Sequence, residues 1–200
     1  MDASSKNKIK KQSKKSSFTR GVLEQVELAV VFFAIIILLF SFVCNTCIVE
    51  GDSMMNTLQD NERVLIWNMF YKPDYNDIVV IHESGDLNKP IVKRIIGLPG
   101  DTITIEHGVS GMTVVRTSAD GTTEQLVEDY VYYNLNYGTL GRYQNGERES
   151  YVVGDGEVFV MGDNRLNSID SREFGCVDSR LILGKVVLRI TPFDKFGTVK

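Results

Sequence analysis

Ile91-Val92-Lys93-Arg94-Ile95-Ile96-Gly97-Leu98-Pro99-Gly100-Asp101 decides the fold. The first six residues are mostly β-branched, and a Leu-Pro-Gly turn stops them, so they read as a strand buried on at least one face. Alternation places Lys93 on the face of Ile91 and Ile95, and Arg94 on the other, where it needs an acid. Similar short apolar or alternating runs recur on either side: Arg63 to Trp67, Ile78 to Ile81, Thr102 to Ile105, Met112 to Val115, Tyr151 to Val153, Val158 to Met161 and Leu181 to Ile190. Gly, Asn and Asp separate them, and no amphipathic helical stretch of comparable length follows residue 44. The pattern predicts a mainly β fold: an antiparallel sheet or sandwich-like domain.

Residues 106–150 break the pattern. They are polar, rich in Gly and Tyr, and acidic in the middle (Glu124, Glu128, Asp129). They read as a small inserted subdomain between two halves of one core, residues 45–105 and 151–200, with Tyr130, Tyr132, Tyr133, Tyr137 and Tyr143 as hairpin packing.

Toward the N-terminus, Leu28 to Cys44 is an uncharged run of 17 residues. As a helix it spans about 25 Å. Starting near Val22, it reaches the ~30 Å of a bilayer core, so residues 21–44 read as a transmembrane signal anchor. No Ala-x-Ala follows it, and Val43 stands where a lipoprotein cleavage site needs a small residue, which argues for a retained anchor. Residues 1–20 carry seven basic side chains (Lys6, Lys8, Lys10, Lys11, Lys14, Lys15, Arg20) against Asp2, while the whole chain is at −4. That composition predicts a disordered basic tail on the cytoplasmic side, near anionic lipid, with the domain on the other side of a single-pass membrane protein. A basic tail on an acidic body excludes whole-domain nucleic-acid binding. Cys44, Cys47 and Cys176 form no disulfide framework.

A serine hydroxyl needs a base before it attacks a carbonyl. Ser53 follows the anchor, in Gly51-Asp52-Ser53-Met54-Met55-Asn56-Thr57-Leu58. The chain has two histidines, His82 and His107, and neither has a spacing that supports a triad. Lysine serves as a base when apolar surroundings favour its neutral form, and Lys93 has them. The third polar segment, Gly162-Asp163-Asn164-Arg165-Leu166-Asn167-Ser168-Ile169-Asp170-Ser171-Arg172-Glu173-Phe174-Gly175, follows an apolar strand. It lacks the spacing of a calcium loop, so neither a metal nor a cofactor is expected.

Taken together, these segments resemble the bacterial type I signal peptidases. Gly51-Asp52-Ser53-Met54 with Thr57-Leu58, Asp77-Ile78-Val79-Val80, Lys93-Arg94 with Gly97-Leu98-Pro99-Gly100-Asp101, and Gly162-Asp163-Asn164-Arg165 with Ser168, Asp170-Ser171-Arg172 and Gly175 match that family's boxes in order and spacing. The resemblance implies a membrane-anchored serine endopeptidase that removes signal peptides from secretory preproteins with small residues at the first and third positions before the cut. It implies Ser53 as nucleophile and Lys93 as general base. Ser168 would orient the lysine amine, Met54 would pack beside the pair, Asp163 would pair with Arg94, and Asp170 with Arg172. Asn56 stands where the family usually has proline. Gly51 stands where some members place an oxyanion-hole serine, which leaves the Ser53 N–H as the main donor.

Two other readings compete. A penicillin-binding acyltransferase needs Ser-x-x-Lys, and the third residue after Ser53 is Asn56. A non-catalytic membrane-anchored β module that binds exported proteins would not need both Ser53 and Lys93.

Overall fold

The computed structural model describes residues 21–38, 44–82, 89–108, 111–133 and 146–199. The tail over residues 1–20, and Tyr137 and Tyr143, lie outside them. The chain divides into two units, residues 1–43 and 44–200.

In the first unit a helix, α1, covers Gly21–Leu38 with a mean hydropathy of 2.2. Its Val, Leu, Ile and Phe side chains are exposed, except Ile36, which is half-buried. At ~1.5 Å per residue it is about 27 Å long, so it is long and apolar enough to cross a bilayer.

The second unit is mainly β: β1 (Cys44–Ile48), β2 (Arg63–Trp67), β3 (Ile78–Ile81), β4 (Ile91–Gly97), β5 (Thr102–Gly108), β6 (Gly111–Thr117), β7 (Thr123–Gln125), β8 (Arg148–Val152), β9 (Glu157–Met161), β10 (Val177–Asp178), β11 (Ile182–Thr191) and β12 (Gly197–Thr198). One short helix, α2 (Ser171–Phe174), precedes β10. The larger sheet runs β1-β2-β11-β3-β4-β9-β10, with β12 on β11, and the smaller runs β7-β6-β5-β8. Every pairing of these strands is antiparallel.

β2 and β3 coincide with the runs read from the sequence. β1 does not: Cys44, read as the end of the anchor, begins a strand. Cys-Asn-Thr-Cys-Ile has no alternation, and its extended form follows from pairing along the whole of β2. The smaller sheet takes in Thr102 and Val152, so its strands reach past residues 106–150 on both sides.

β3 is buried at every position, which explains why its sequence is a continuous apolar run rather than an alternating one. Ile78 and Val80 join one core cluster with Met54, Leu58 and Val92, while Val79 and Ile81 join another with Ile95, Val158 and Val160. A third cluster brings Ile96, Phe159 and Met161 of the larger sheet against Ile103, Ile105 and Val114 of the smaller. β4 is therefore buried on both faces, and Lys93 and Arg94 are buried with it. The Leu98–Asp101 turn carries β4 into β5: Asp101 Oδ2 accepts from Leu98 N at 2.9 Å, and Gly100 takes φ +89°, a conformation that favours glycine.

Phe159 is fully buried where the two sheets meet. Phe159→Ala should lower unfolding stability by ~3–5 kcal/mol, read from the guanidinium midpoint of the detergent-solubilised chain.

Candidate active site

Ser53 lies in a turn fastened by its neighbours. Met54 and Leu58 are fully buried in a core cluster, and Leu58 N donates to Met54 O at 2.8 Å. Met54, next to the serine in sequence, thus belongs to the core that includes Ile78, Val80 and Val92. Gly51, at φ +82°, enters the turn, and its N–H is committed to Asp60 Oδ1 at 2.7 Å. Gly51 therefore has no N–H to offer a substrate. The Ser53 N–H donates to no group among the described residues. Asn56 is exposed.

Across 40 positions of sequence, Lys93 Nζ lies 2.9 Å from Ser53 Oγ, in hydrogen-bonding geometry. Lys93 is 3% exposed and sits opposite Val79 in the β3–β4 ladder. Arg94, opposite Ile78 and Met161, donates from Nε to Asp163 Oδ1 at 2.9 Å and from Nη2 to Asp163 Oδ2 at 2.7 Å. Both side chains of this fork are buried. Arg94 also donates to Asn76 O at 2.9 Å, and its guanidinium carbon lies 3.9 Å from the centre of the Tyr130 ring.

The segment after β9 closes on the serine turn. Asn164 N donates to Ser53 O at 3.0 Å, and Asn164 Nδ2 donates to Asp52 O at 3.1 Å. Thr57 Oγ1 donates to Asp163 Oδ2. The approach is tight at Gly162: a Cβ there would lie 2.3 Å from Ser168 Oγ and 2.5 Å from Ser53 O. Only a glycine fits, and Ser168 Oγ and the Ser53 carbonyl share one niche. Ser168 Oγ lies near enough to Asp170 to help hold its charge. Among the described residues it meets no partner in full hydrogen-bond geometry, the Lys93 amine included.

Asp170 caps α2, accepts from Gly162 N at 3.0 Å, and takes Arg172 Nε at 2.7 Å and Nη2 at 2.8 Å. Burial alone would raise its carboxyl, but the bonds and charge of Arg172 outweigh that and hold it below the usual carboxylate range. The two histidines lie elsewhere. His82 is exposed at the end of β3. His107 is buried in β5, where burial lowers its pKa, and its backbone N–H reaches Glu147 O. Among the described residues, no group of three or more His, Cys, Asp or Glu could hold a metal.

Several actors were not assigned a role from sequence. Asn164 and Thr57 lie inside quoted boxes, but nothing in their spacing distinguishes a clamp from a loop residue. Glu128 and Tyr130, which reach the site from beyond β7, carry no local signal at all.

The chain was compared with known proteins. The family model for signal peptidase, peptidase S26, matches residues 22–191. Signal peptidase IB of Staphylococcus aureus (strain COL) is 33% identical over 189 residues, covering 88% of this chain and 93% of its own length. A probable signal peptidase I-1 of Synechocystis sp. is 31% identical over 128 residues, 57% of this chain and 61% of its own length. A crystal structure of a signal peptidase I from Enterococcus faecalis V583 is 27% identical, with a TM-score of 0.41 over 58% of this chain and 98% of that one.

Two outcomes follow from the buried ion pairs. Arg94→Ala strands the Asp163 carboxylate and should destabilise the chain by ~3–5 kcal/mol, while Arg94→Met with Asp163→Leu should lose less. The Asp170 contribution is present at pH values above the ordinary carboxylate pKa of about 3.9 and is lost as pH falls through its depressed folded value. Denaturant titrations should show a shallower acid loss for Asp170→Asn than for the wild type.

Proposed function

This chain belongs to the peptidase S26 family, hydrolases that remove signal peptides from secretory preproteins, and on that premise we propose that it does so with Ser53 as nucleophile and Lys93 as general base. The observation that carries this reading is the 2.9 Å approach of the Lys93 amine to the Ser53 hydroxyl, with the lysine buried in β4. Burial disfavours a charged amine, and a neutral amine is what a general base requires.

In this mechanism Ser53 Oγ attacks the scissile carbonyl and passes its proton to Lys93 Nζ. The oxyanion forms against the Ser53 N–H, a contact worth ~3 kcal/mol in the transition state. The Lys93 ammonium then protonates the leaving amine of the mature protein, and the C–N bond breaks. Water attacks the acyl-enzyme, Lys93 takes its proton, and the carboxylate of the signal peptide leaves as Ser53 Oγ is reprotonated. Ser168 steadies the amine as a neutral hydroxyl. A bond that is out of alignment without substrate can tighten once substrate is bound. Met54 keeps water from the pair, and the Arg94–Asp163 and Asp170–Arg172 forks hold the surrounding backbone.

The substrates are preproteins with small residues at the first and third positions before the cut, presented where an apolar signal segment meets the lipid surface. Helix α1 anchors the chain in a single pass. The basic residues at 1–20 stay in the cytoplasm and the catalytic unit lies outside.

Cleavage of a preprotein carrying Ala-x-Ala in detergent–lipid micelles tests the dyad. Ser53→Ala and Lys93→Arg should each lower turnover by at least about a thousandfold, the latter because arginine stays protonated. An active Lys93→Arg enzyme would move the base elsewhere. Protease added outside intact cells should digest the region beyond residue 45, and protection of that region would reverse the topology.

A further inference from the structure

The mechanism leaves one buried ion pair without a task. Arg165 is 2% exposed, and it donates from Nη1 to Glu128 Oε2 at 2.6 Å and from Nη2 to Glu128 Oε1. Glu128 lies outside every segment that matched a family box. It follows β7, which is fixed to the smaller sheet through β6, and Leu126 N extends that register to Val114 O at 2.9 Å. A buried ion pair gives little net stability, because desolvation offsets its attraction. Its geometry here points to another role.

The third donor of Arg165, Nε, reaches Gly162 O at 3.2 Å. Gly162 is the residue with no room for a Cβ beside Ser53 O and Ser168 Oγ. Its N–H is already held by Asp170 Oδ2. Both polar groups of the Gly162 backbone are thus held by ion-paired side chains: Asp170 by its own fork with Arg172, and Arg165 by Glu128. The next two residues carry the consequence to the serine, since Asp163 takes Arg94 and Asn164 takes the carbonyls of Asp52 and Ser53. The segment that supplies Glu128 makes two further contacts there. Tyr132 N donates to Asp163 O at 2.9 Å, and the Tyr130 ring covers Arg94 while its hydroxyl donates to Glu128 Oε1 at 3.0 Å.

We propose that Glu128 and Arg165 are positioning residues for Ser53, through which the smaller sheet sets the placement of the nucleophile. The inference rests on the assignment of Ser53 as nucleophile. Arg165 holds the Gly162 carbonyl only while Glu128 fixes the direction of its guanidinium. Without that hold, the 162–165 turn and the serine carbonyl clamped to it shift relative to Lys93. Displacement of a reacting group by about 1 Å costs roughly a hundredfold in rate, so turnover depends on this pair while substrate binding does not.

The test measures kcat and KM on one preprotein for the full chain in detergent, with thermal midpoints recorded in parallel. Glu128→Gln should lower kcat roughly ten- to a hundredfold with KM within about twofold of the wild type. Glu128→Asp keeps the charge on a shorter arm, and should fold with an intermediate kcat. Glu128→Gln with Arg165→Met removes both charges, and should melt near the wild type yet keep the low kcat, because the bond to Gly162 O is gone. Wild-type kcat in a folded Glu128→Gln protein would overturn the proposal. So would recovery of kcat in the double variant, or a rise in KM at unchanged kcat. If the neutral variants fail to fold, Glu128→Asp decides alone, and full kcat there removes the role. Wild-type chain and Ser53→Ala run alongside separate the two readings: equal cleavage by both overturns the nucleophile assignment, whereas loss confined to Ser53→Ala leaves that assignment standing whatever Glu128 does.

Discussion

Two basic side chains stand side by side on β4, and both are buried. Strand alternation sends them to opposite faces, which lets one sequence position demand what its neighbour must avoid. Arg94 cannot shed its charge, so it requires a carboxylate, and Asp163 meets it with a bidentate fork. That one requirement pins the turn after β9 to β4. The next residue along, Asn164, then falls against the carbonyls of Asp52 and Ser53. The serine reaches the lysine because the arginine next to that lysine had to be neutralised.

The same turn is held by two further forks, Arg172 with Asp170 and Arg165 with Glu128. Replacing such pairs by apolar side chains of similar volume often leaves stability unchanged or improves it, so stability is a weak reason for three of them around four residues. What they supply is direction: a guanidinium fork fixes the position of its partner in the plane as well as in distance. An apolar contact at the same place would allow sliding. The absence of room for a Cβ at Gly162 has the same sense, since two backbones meet there with no side chain between them.

Much of this fold can be read along the chain, and the reasons differ by element. β2, β3, β4 and β9 are dense in β-branched residues and bounded by turn formers, so their local preference agrees with their burial. β1, β7, β10 and β12 are short or polar, and they are strands because a neighbour offers them a ladder. That cause lies in tertiary structure and leaves no local trace. The site divides in a similar way. The approach of Lys93 to Ser53 and the Asp163–Arg94 partnership join residues of the quoted boxes, where a buried arginine calls for an acid. Glu128 and Tyr130 come from a stretch whose acids and tyrosines suit a hairpin surface equally well, and only the folded chain brings them to Arg165 and Arg94.

β11 is the longest strand among the described residues and follows β2 and β3 by about a hundred positions or more, yet it lies between them. Those two strands are never partners of each other. A growing chain that has delivered Ser53, Lys93 and even Asp163 still has a gap in the middle of its larger sheet, with two ladders unpaired. Contacts of such long sequence separation form late, because loop closure precedes any gain from them. A chain that stops short of β11 holds Ser53, Lys93 and Asp163 but not the strand that joins the two halves of the larger sheet, so the sheet that positions those residues closes only once β11 is in place.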